Sequence, residues 1–241
     1  MTTKEKLLAL LEDSKGTFFS GEEIARTLQV SRAAVWKAVN ALREDGYTID
    51  AVTNKGYRLS PDSDILSPQG IRRFLKPEYR GLNLTVLSTV PSTNALVREK
   101  ANQGCPEGCI IIACEQTAGR GRYGRQFFSP VDSGVYLSLL LRPTAYSPQQ
   151  ATCLTAAAAA AMCQAMEAVT GQQPGIKWVN DIFLHGKKVC GILTEAAVGL
   201  ETGTLNYMVL GAGVNLYPPA EGFPEEIQPI AGSVLERSCP E

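Results

Sequence analysis

The stretch "GRGRYGR", Gly119–Arg125, sets three arginines among three glycines at the offsets of G-x-G-x-x-G. Whether it closes a strand and opens a helix decides the fold, because a dinucleotide-binding unit needs both. The strand condition is met by "IIIACE" before it. The helix condition fails: "RQFFSP" follows, Pro130 and "VDSG" oppose a helix, and a β-rich run comes next. No acidic residue stands about 20 positions on to take a ribose hydroxyl, and Asp132 is too near. The pattern G-x-x-x-x-G-K-[ST] is also absent. What remains is a mobile loop whose glycines let backbone approach a ligand and whose Arg120, Arg122 and Arg125 suit carboxylate or phosphate. Without flanking basic residues the footprint is small, which fits a compact anion.

Around this loop the chain reads as strands. "LNLTVLSTV", "CIIIACE", "GVYLSLLLRP", "IFL", "KVCGILTEA" and "NYMVLGAGVNL" outnumber the helices, and several are joined by hairpin-length turns. His185-Gly186, between "IFL" and "KKVCGIL", is such a turn. "CLTAAAAAAMC", residues 153–163, is too short to span a membrane and reads as a buried helix. The half is α+β on a largely antiparallel or mixed sheet.

The first 60 residues differ in character. Leu7, Leu8, Leu10 and Leu11 make one apolar stripe; Ser20 with Glu23 reads as a capping box opening a second helix. Ser31 caps a third, whose inward positions are Val35, Val39 and Leu42 and whose stop is Gly46. "YTIDAVTNKGYRLS" then reads as two short strands around Asn54-Lys55-Gly56. Helix, turn, helix and wing in that order is a winged helix-turn-helix, a DNA-binding pattern. Its base- and phosphate-facing candidates are Ser31, Arg32, Trp36, Lys37, Asn40, Arg43 and Lys55, with Arg58 also near the wing tip. Residues 1–60 hold nine basic and eight acidic side chains, so any attraction is a local patch on a neutral domain. "SPDSDILSP", residues 60–68, reads as a linker, which divides the chain into 1–62 and 67–241.

Composition bounds the rest. At 241 residues, 44% hydrophobic and 20% charged, with net charge -1, the chain is an ordinary globular one without whole-protein attraction for nucleic acid or membrane. The N-terminus has no signal-peptide h-region, so a cytoplasmic location is expected. Seven cysteines include no C-x-x-C pair and suit reduced, mostly buried thiols; with His185 the only histidine, no protein-ligated metal site is expected.

Three further clusters lie at strand ends: "PSTN" (91–94), "KWVND" (177–181) and "GAGVN" (211–215). With "STN", "EQTAGRGRYGR", "KWVNDIFLHGKKVCGIL" and "GAGVNL" in order behind a winged helix, the sequence resembles the biotin protein ligases, in particular the bifunctional bacterial kind that also represses the biotin operon. The resemblance runs from about Gly21 to the end. It implies a mixed-sheet catalytic domain of the biotin/lipoate ligase, class II synthetase-like type. It also implies activation of biotin by ATP to biotinyl-adenylate, and transfer to a lysine of the biotin carboxyl carrier protein of acetyl-CoA carboxylase.

By motif position, the resemblance implies that Ser92, Thr93, Asn94 and Gln116 bind the ureido head of biotin. It implies that Arg120, Gly121 and Arg122 close over biotin and the adenylate phosphate, that Lys188 reaches the carboxyl, and that Gly191 lets the ring system approach. Arg122, Arg125, Lys177, Asp181 and Asn215 serve the nucleotide, and Arg122, Lys188 and Lys177 carry the catalysis. Mg²⁺ is implied too, held mostly by phosphates and water, and so is a ligand-promoted homodimer on operator DNA. Val179 stands where the family writes proline, a change expected to leave activity intact. The family continues past "GSVLE" with more helix and an SH3-like barrel, whereas this sequence stops at Glu241. The resemblance therefore implies a catalytic domain incomplete at its C-terminal end. It keeps open a regulator that senses biotin or its adenylate without efficient transfer.

Overall fold

The computed structural model describes residues 1–143, 151–199 and 205–236; Cys239 and the last residues of the second domain lie outside them. Contacts divide the chain into Met1–Gly81 and Leu82–Glu241.

In the first unit α1 (Thr3–Asp13), α2 (Gly21–Leu28) and α3 (Arg32–Glu44) precede an antiparallel hairpin of β1 (Ile49–Val52) and β2 (Gly56–Leu59). Leu7, Leu11, Ile24, Val39, Leu42 and Leu59 are fully buried at its centre, each contributing about 1.5–3 kcal/mol by removal from water. The reciprocal capping box falls at Thr2 and Glu5, while at Ser20 the structure records the hydroxyl accepting from the Glu23 N–H. The wing turns at Gly56, φ +99°, where a Cβ would lie 2.0 Å from the Phe19 carbonyl, so only glycine fits. Helix α4 (Pro68–Arg72), capped by Ser67, packs on α1, and Arg73 pairs with the buried Glu12 at 3.7 Å. Residues 67–81 thus join the first unit. The sequence reading began the second domain at 67 because a proline-rich segment signals a linker without showing that Glu12 waits for it.

The second unit is a seven-stranded sheet of β3 (Asn83–Val90), β4 (Cys109–Gln116), β5 (Gly134–Leu141), β6 (Gly175–Lys177), β7 (Asp181–Leu184), β8 (Lys187–Val198) and β9 (Leu205–Asn215). Their order is β3-β4-β5-β9-β8-β7-β6. Only β3 and β4 run parallel, joined by the crossover helix α5 (Thr93–Asn102); every other neighbouring pair is antiparallel. Residues His185 and Gly186, both at positive φ, make the β7–β8 turn. Helix α6 (Ala151–Thr170) is long and apolar enough by length and composition to match a membrane span, but it packs on β6, β7 and β8. Its Thr155, Ala159 and Met166 are buried and the opposite face is exposed. The sequence reading of a buried helix is corrected to one buried face: alanine promotes helix whatever its exposure.

Candidate functional site

The site forms where β3, β4 and β9 end and β7 and β8 begin. Thr117 N–H and Ala118 N–H donate to the carbonyls of Val90 and Pro91, which draws "STN" against the end of β4. Ser92 caps α5 by accepting from Ala95 N–H, a bond that fixes its rotamer. Thr93 donates through its N–H (2.9 Å) and hydroxyl (3.1 Å) to Gln116 Oε1, and Gln116 Nε2 donates to Ser129 at 3.1 Å. Asn94 donates to Leu193 O and, at 2.8 Å, to Glu195 Oε2. Below them Ser138, fully buried on β5, shares its hydroxyl proton between Asn94 Oδ1 (2.6 Å) and Thr93 Oγ1 (2.8 Å). Ser92, Thr93 and Asn94 are themselves 1%, 3% and 5% exposed. Buried polar atoms persist only where each is bonded, and this network satisfies them.

The arginine loop folds back as a narrow ladder, with Gly121 N–H donating to Arg125 O (2.7 Å) and Phe127 N–H to Gly119 O (3.0 Å). A 3₁₀ turn at Arg122–Gly124 tops it, with Tyr123 in the left-handed region at φ 58°. No α-helix follows, in keeping with rejection of the dinucleotide fold. Arg122 donates to Asn180 Oδ1 at 3.1 Å, Asn180 donates to Asp181 Oδ1 at 3.1 Å, and Lys188 Nζ lies 2.8 Å from that oxygen.

Two adjoining cavities share Gly121, Arg122, Phe127, Asn180 and Lys188. The first, about 50 Å³, is lined by Ser92, Thr93, Asn94, Gln116, Arg120, Gly121, Arg122, Lys188 and Gly191, together with the ends of β8 and β9. The second, about 260 Å³, is lined by Arg122, Arg125, Asp181, Lys188, Asn215 and an apolar wall that includes Phe223 and Ile230. Phe127 stands at their divide, its ring over paired Gly191 and Gly213, where a Cβ would meet it at 2.9 and 2.6 Å. Small-ligand pockets run to about 300 Å³ and more, a size the first cavity does not reach without the second.

Three expected residues meet partners the motifs did not show. Lys177 lines neither cavity; it is exposed on β6 with Nζ 5.3 Å from the Phe183 ring, because the short edge strand turns it outward. Gly191 faces Phe127, so its missing side chain makes room for that ring. Asn215 lines the second cavity but donates to Gly232 O at 3.0 Å, pinning a strap in which Lys188 N–H and Gly232 N–H exchange bonds with Ile230 O and Lys188 O.

Sequence reasoning missed Phe127, Ser138, Glu195 and the strap, and gave Asn180, the amide of "KWVND", no role of its own. Ser138 had a signal, a serine at an inward position of the alternating strand "GVYLSLLL". Burial pushes the Cys109 thiol up to about 11 and the Cys190 thiol up to about 12, so neither is a nucleophile near neutral pH.

In the first unit, Arg32, Trp36 and Lys37 project from the exposed face of α3, Trp36 58% exposed, beside a groove between α2 and the wing. Ser31 caps Ala34 N–H at 3.2 Å, and Asn40 is half-buried. Arg43 bonds Ile49 O at 3.1 and 2.6 Å, which ties α3 to the wing and leaves that guanidinium less free to read DNA than the sequence implied. Lys55 and Arg58 lie over the Phe18 ring, at 5.9 and 4.7 Å.

The biotin/lipoate A/B protein ligase family matches residues 86–215, and a helix-turn-helix (HTH) domain matches residues 3–58. The bifunctional ligase/repressor BirA of Bacillus spizizenii is 40% identical over 237 residues, covering 98% of this chain and 72% of the relative. Its namesake in Escherichia coli is 34% identical over 89% of this chain and 64% of the relative. The solved biotin protein ligase from Aquifex aeolicus in complex with biotin and ATP is 30% identical with a TM-score of 0.51, over 63% of this chain and 59% of that one.

Proposed function

The chain belongs to the biotin/lipoate A/B protein ligase family, and from that premise we propose that it activates biotin with ATP and transfers it to a carrier-protein lysine. The same chain carries a helix-turn-helix DNA-binding repressor domain. One observation carries the reading of the site. All nine residues assigned to biotin by motif line one cavity, and four of the five assigned to the nucleotide line the cavity beside it.

The polar network suits a ureido head. Ser92 already accepts from Ala95, so its hydroxyl proton is available to a urea oxygen, as is the second amide proton of Gln116. The second lone pair of Asn94 Oδ1 can accept a urea N–H. A biotin carboxylate leaving this cavity meets Arg122 and Lys188 at the divide, where their charge offsets its repulsion from the α-phosphate. The carboxylate oxygen attacks that phosphorus and pyrophosphate leaves. The carrier lysine then attacks the acyl carbonyl and AMP leaves, so this chain needs no nucleophile of its own.

Asp181 is the one carboxylate among the residues lining the second cavity, which fits an Mg²⁺ held chiefly by phosphates. Bound there, the ion would offset phosphate charge, and Lys188 would exchange Asp181 for the substrate. Pairing of two winged helices on two half-sites calls for a dimer, and consumption of ATP beside a DNA target supports a cytoplasmic site of action.

Incubation with biotin and ATP labelled at the α-phosphate tests the reading. Label retained with the protein only when biotin is present is the expected result, and no retained biotinyl-adenylate sinks the reading. Efficient biotinylation of a carrier domain separates a ligase from a regulator that binds the adenylate without transferring it.

A further inference from the structure

The "KWVND" motif contains one polar side chain to which no role has been given, Asn180, between β6 and β7. Its position is fixed from two sides: its backbone carbonyl accepts from Ile192 N–H at 2.8 Å, and its Nδ2 donates to Ile192 O at 3.2 Å. The same Nδ2 donates to Asp181 Oδ1, the oxygen that Lys188 approaches at 2.8 Å, while Oδ1 accepts from Arg122. We propose that Asn180 is a positioning residue that sets Arg122 and Lys188, the two cations at the divide between the cavities, through a single amide. The proposal rests on the ligase reading for its consequence, and on hydrogen-bond geometry for its substance.

A neutral amide holds both ends, one as acceptor and one as donor. A carboxylate at this position keeps the acceptor for Arg122 but sets a like charge beside Asp181, and an alanine removes both bonds. Arg122 is exposed and many rotamers are open to it, so without Asn180 Oδ1 its guanidinium keeps, among the described residues, the Tyr123 side chain on the same turn, through the OH at 3.2 Å and the ring at 5.1 Å. Asn180 therefore links loop closure to the state of the Asp181–Lys188 pair.

Asn180→Ala and Asn180→Asp, made in the full chain, separate the two bonds. Asn180→Ala is expected to slow single-turnover adenylate formation and to speed adenylate release, each roughly tenfold or more. Asn180→Asp is expected to release adenylate at close to the unmodified rate. It forms adenylate slowly, with recovery as pH falls and the new carboxylate is protonated. A second readout needs no activity: Asn180→Ala should raise tryptic cleavage after Arg122 several-fold, and Asn180→Asp should not. Equal cleavage in all three proteins overturns the proposal, and so do two variants that fail alike with lowered Tm. If the unmodified chain makes no adenylate, the ligase reading falls, while the cleavage result still decides whether Asn180 anchors Arg122.

Discussion

The side chains proposed to read DNA in the first unit and those proposed to face the ligand in the second are built in opposite ways. Arg32, Trp36 and Lys37 are exposed, come from one helix, and rest on a core they do not touch. Ser92, Thr93, Asn94 and Gln116 come from two elements and are set by a third and a fourth, through Ser138 on β5 and Glu195 on β8. Long, flexible side chains can meet a phosphate backbone one by one. A small polar ligand has to find its donors and acceptors already placed. Damage to the core of the first unit should therefore abolish one function whole, whereas damage to the second unit should be graded by its distance from the network.

The largest effect expected is from Leu42→Ala, fully buried on α3. It should cost about 2–5 kcal/mol in denaturant unfolding of the first unit and abolish operator binding. Adenylate formation should persist; a parallel fall would break the contrast. Arg122→Gly comes next: release of biotinyl-adenylate should accelerate roughly tenfold or more with formation less affected, and unchanged retention after gel filtration would show that Arg122 does not hold the phosphate. Ser138→Ala touches no ligand yet removes the donor of Asn94 and Thr93, so biotin affinity by calorimetry should weaken by about 1–3 kcal/mol. Ser31→Ala should lower the stability of the first unit by about 0.5–2 kcal/mol through loss of the α3 cap, without touching biotin affinity.

The gentlest probe is alkali. Folding holds the Cys190 proton up to about pH 12, whereas an unburied thiol releases it near 9.0. The unfolded state binds fewer protons between those values, so this contribution to stability is intact below pH 9 and declines as pH climbs toward 12. Residues 1–81 contain no cysteine, and there the raised group is Tyr47, whose ordinary value is 10.0. Thermal unfolding followed separately by DNA binding and biotin binding should show the second unit weakening at the lower pH.

The same contrast explains what could be read from the sequence. The winged helix was legible because caps, apolar spacing and the Asn54–Gly56 turn are local, and each decides its own element. The strands of the second unit and the clusters at their ends were legible as patterns. Ser138, Phe127 and Asn180 were not, because their importance arises from partners 44, 64 and 58 positions away along the chain, in Asn94, Gly191 and Arg122. Lys177 shows the converse: its place in a motif does not say which side of a three-residue edge strand it takes.

Gly191, Gly211 and Gly213 lie on adjoining strands, the first and third facing Phe127 and the second leaving 2.1 Å between a would-be Cβ and Asn94 Oδ1. Glycine weakens a strand, so the middle of this sheet gives up intrinsic strand preference for thinness. The result is a mutational dead zone. A saturation library at these three codons should return almost nothing but glycine under selection for biotin binding. The exposed outer face of α6, a short distance along the same chain, should accept nearly every polar replacement. Drift in this protein is steered by where the sheet is thin, more than by where it is charged.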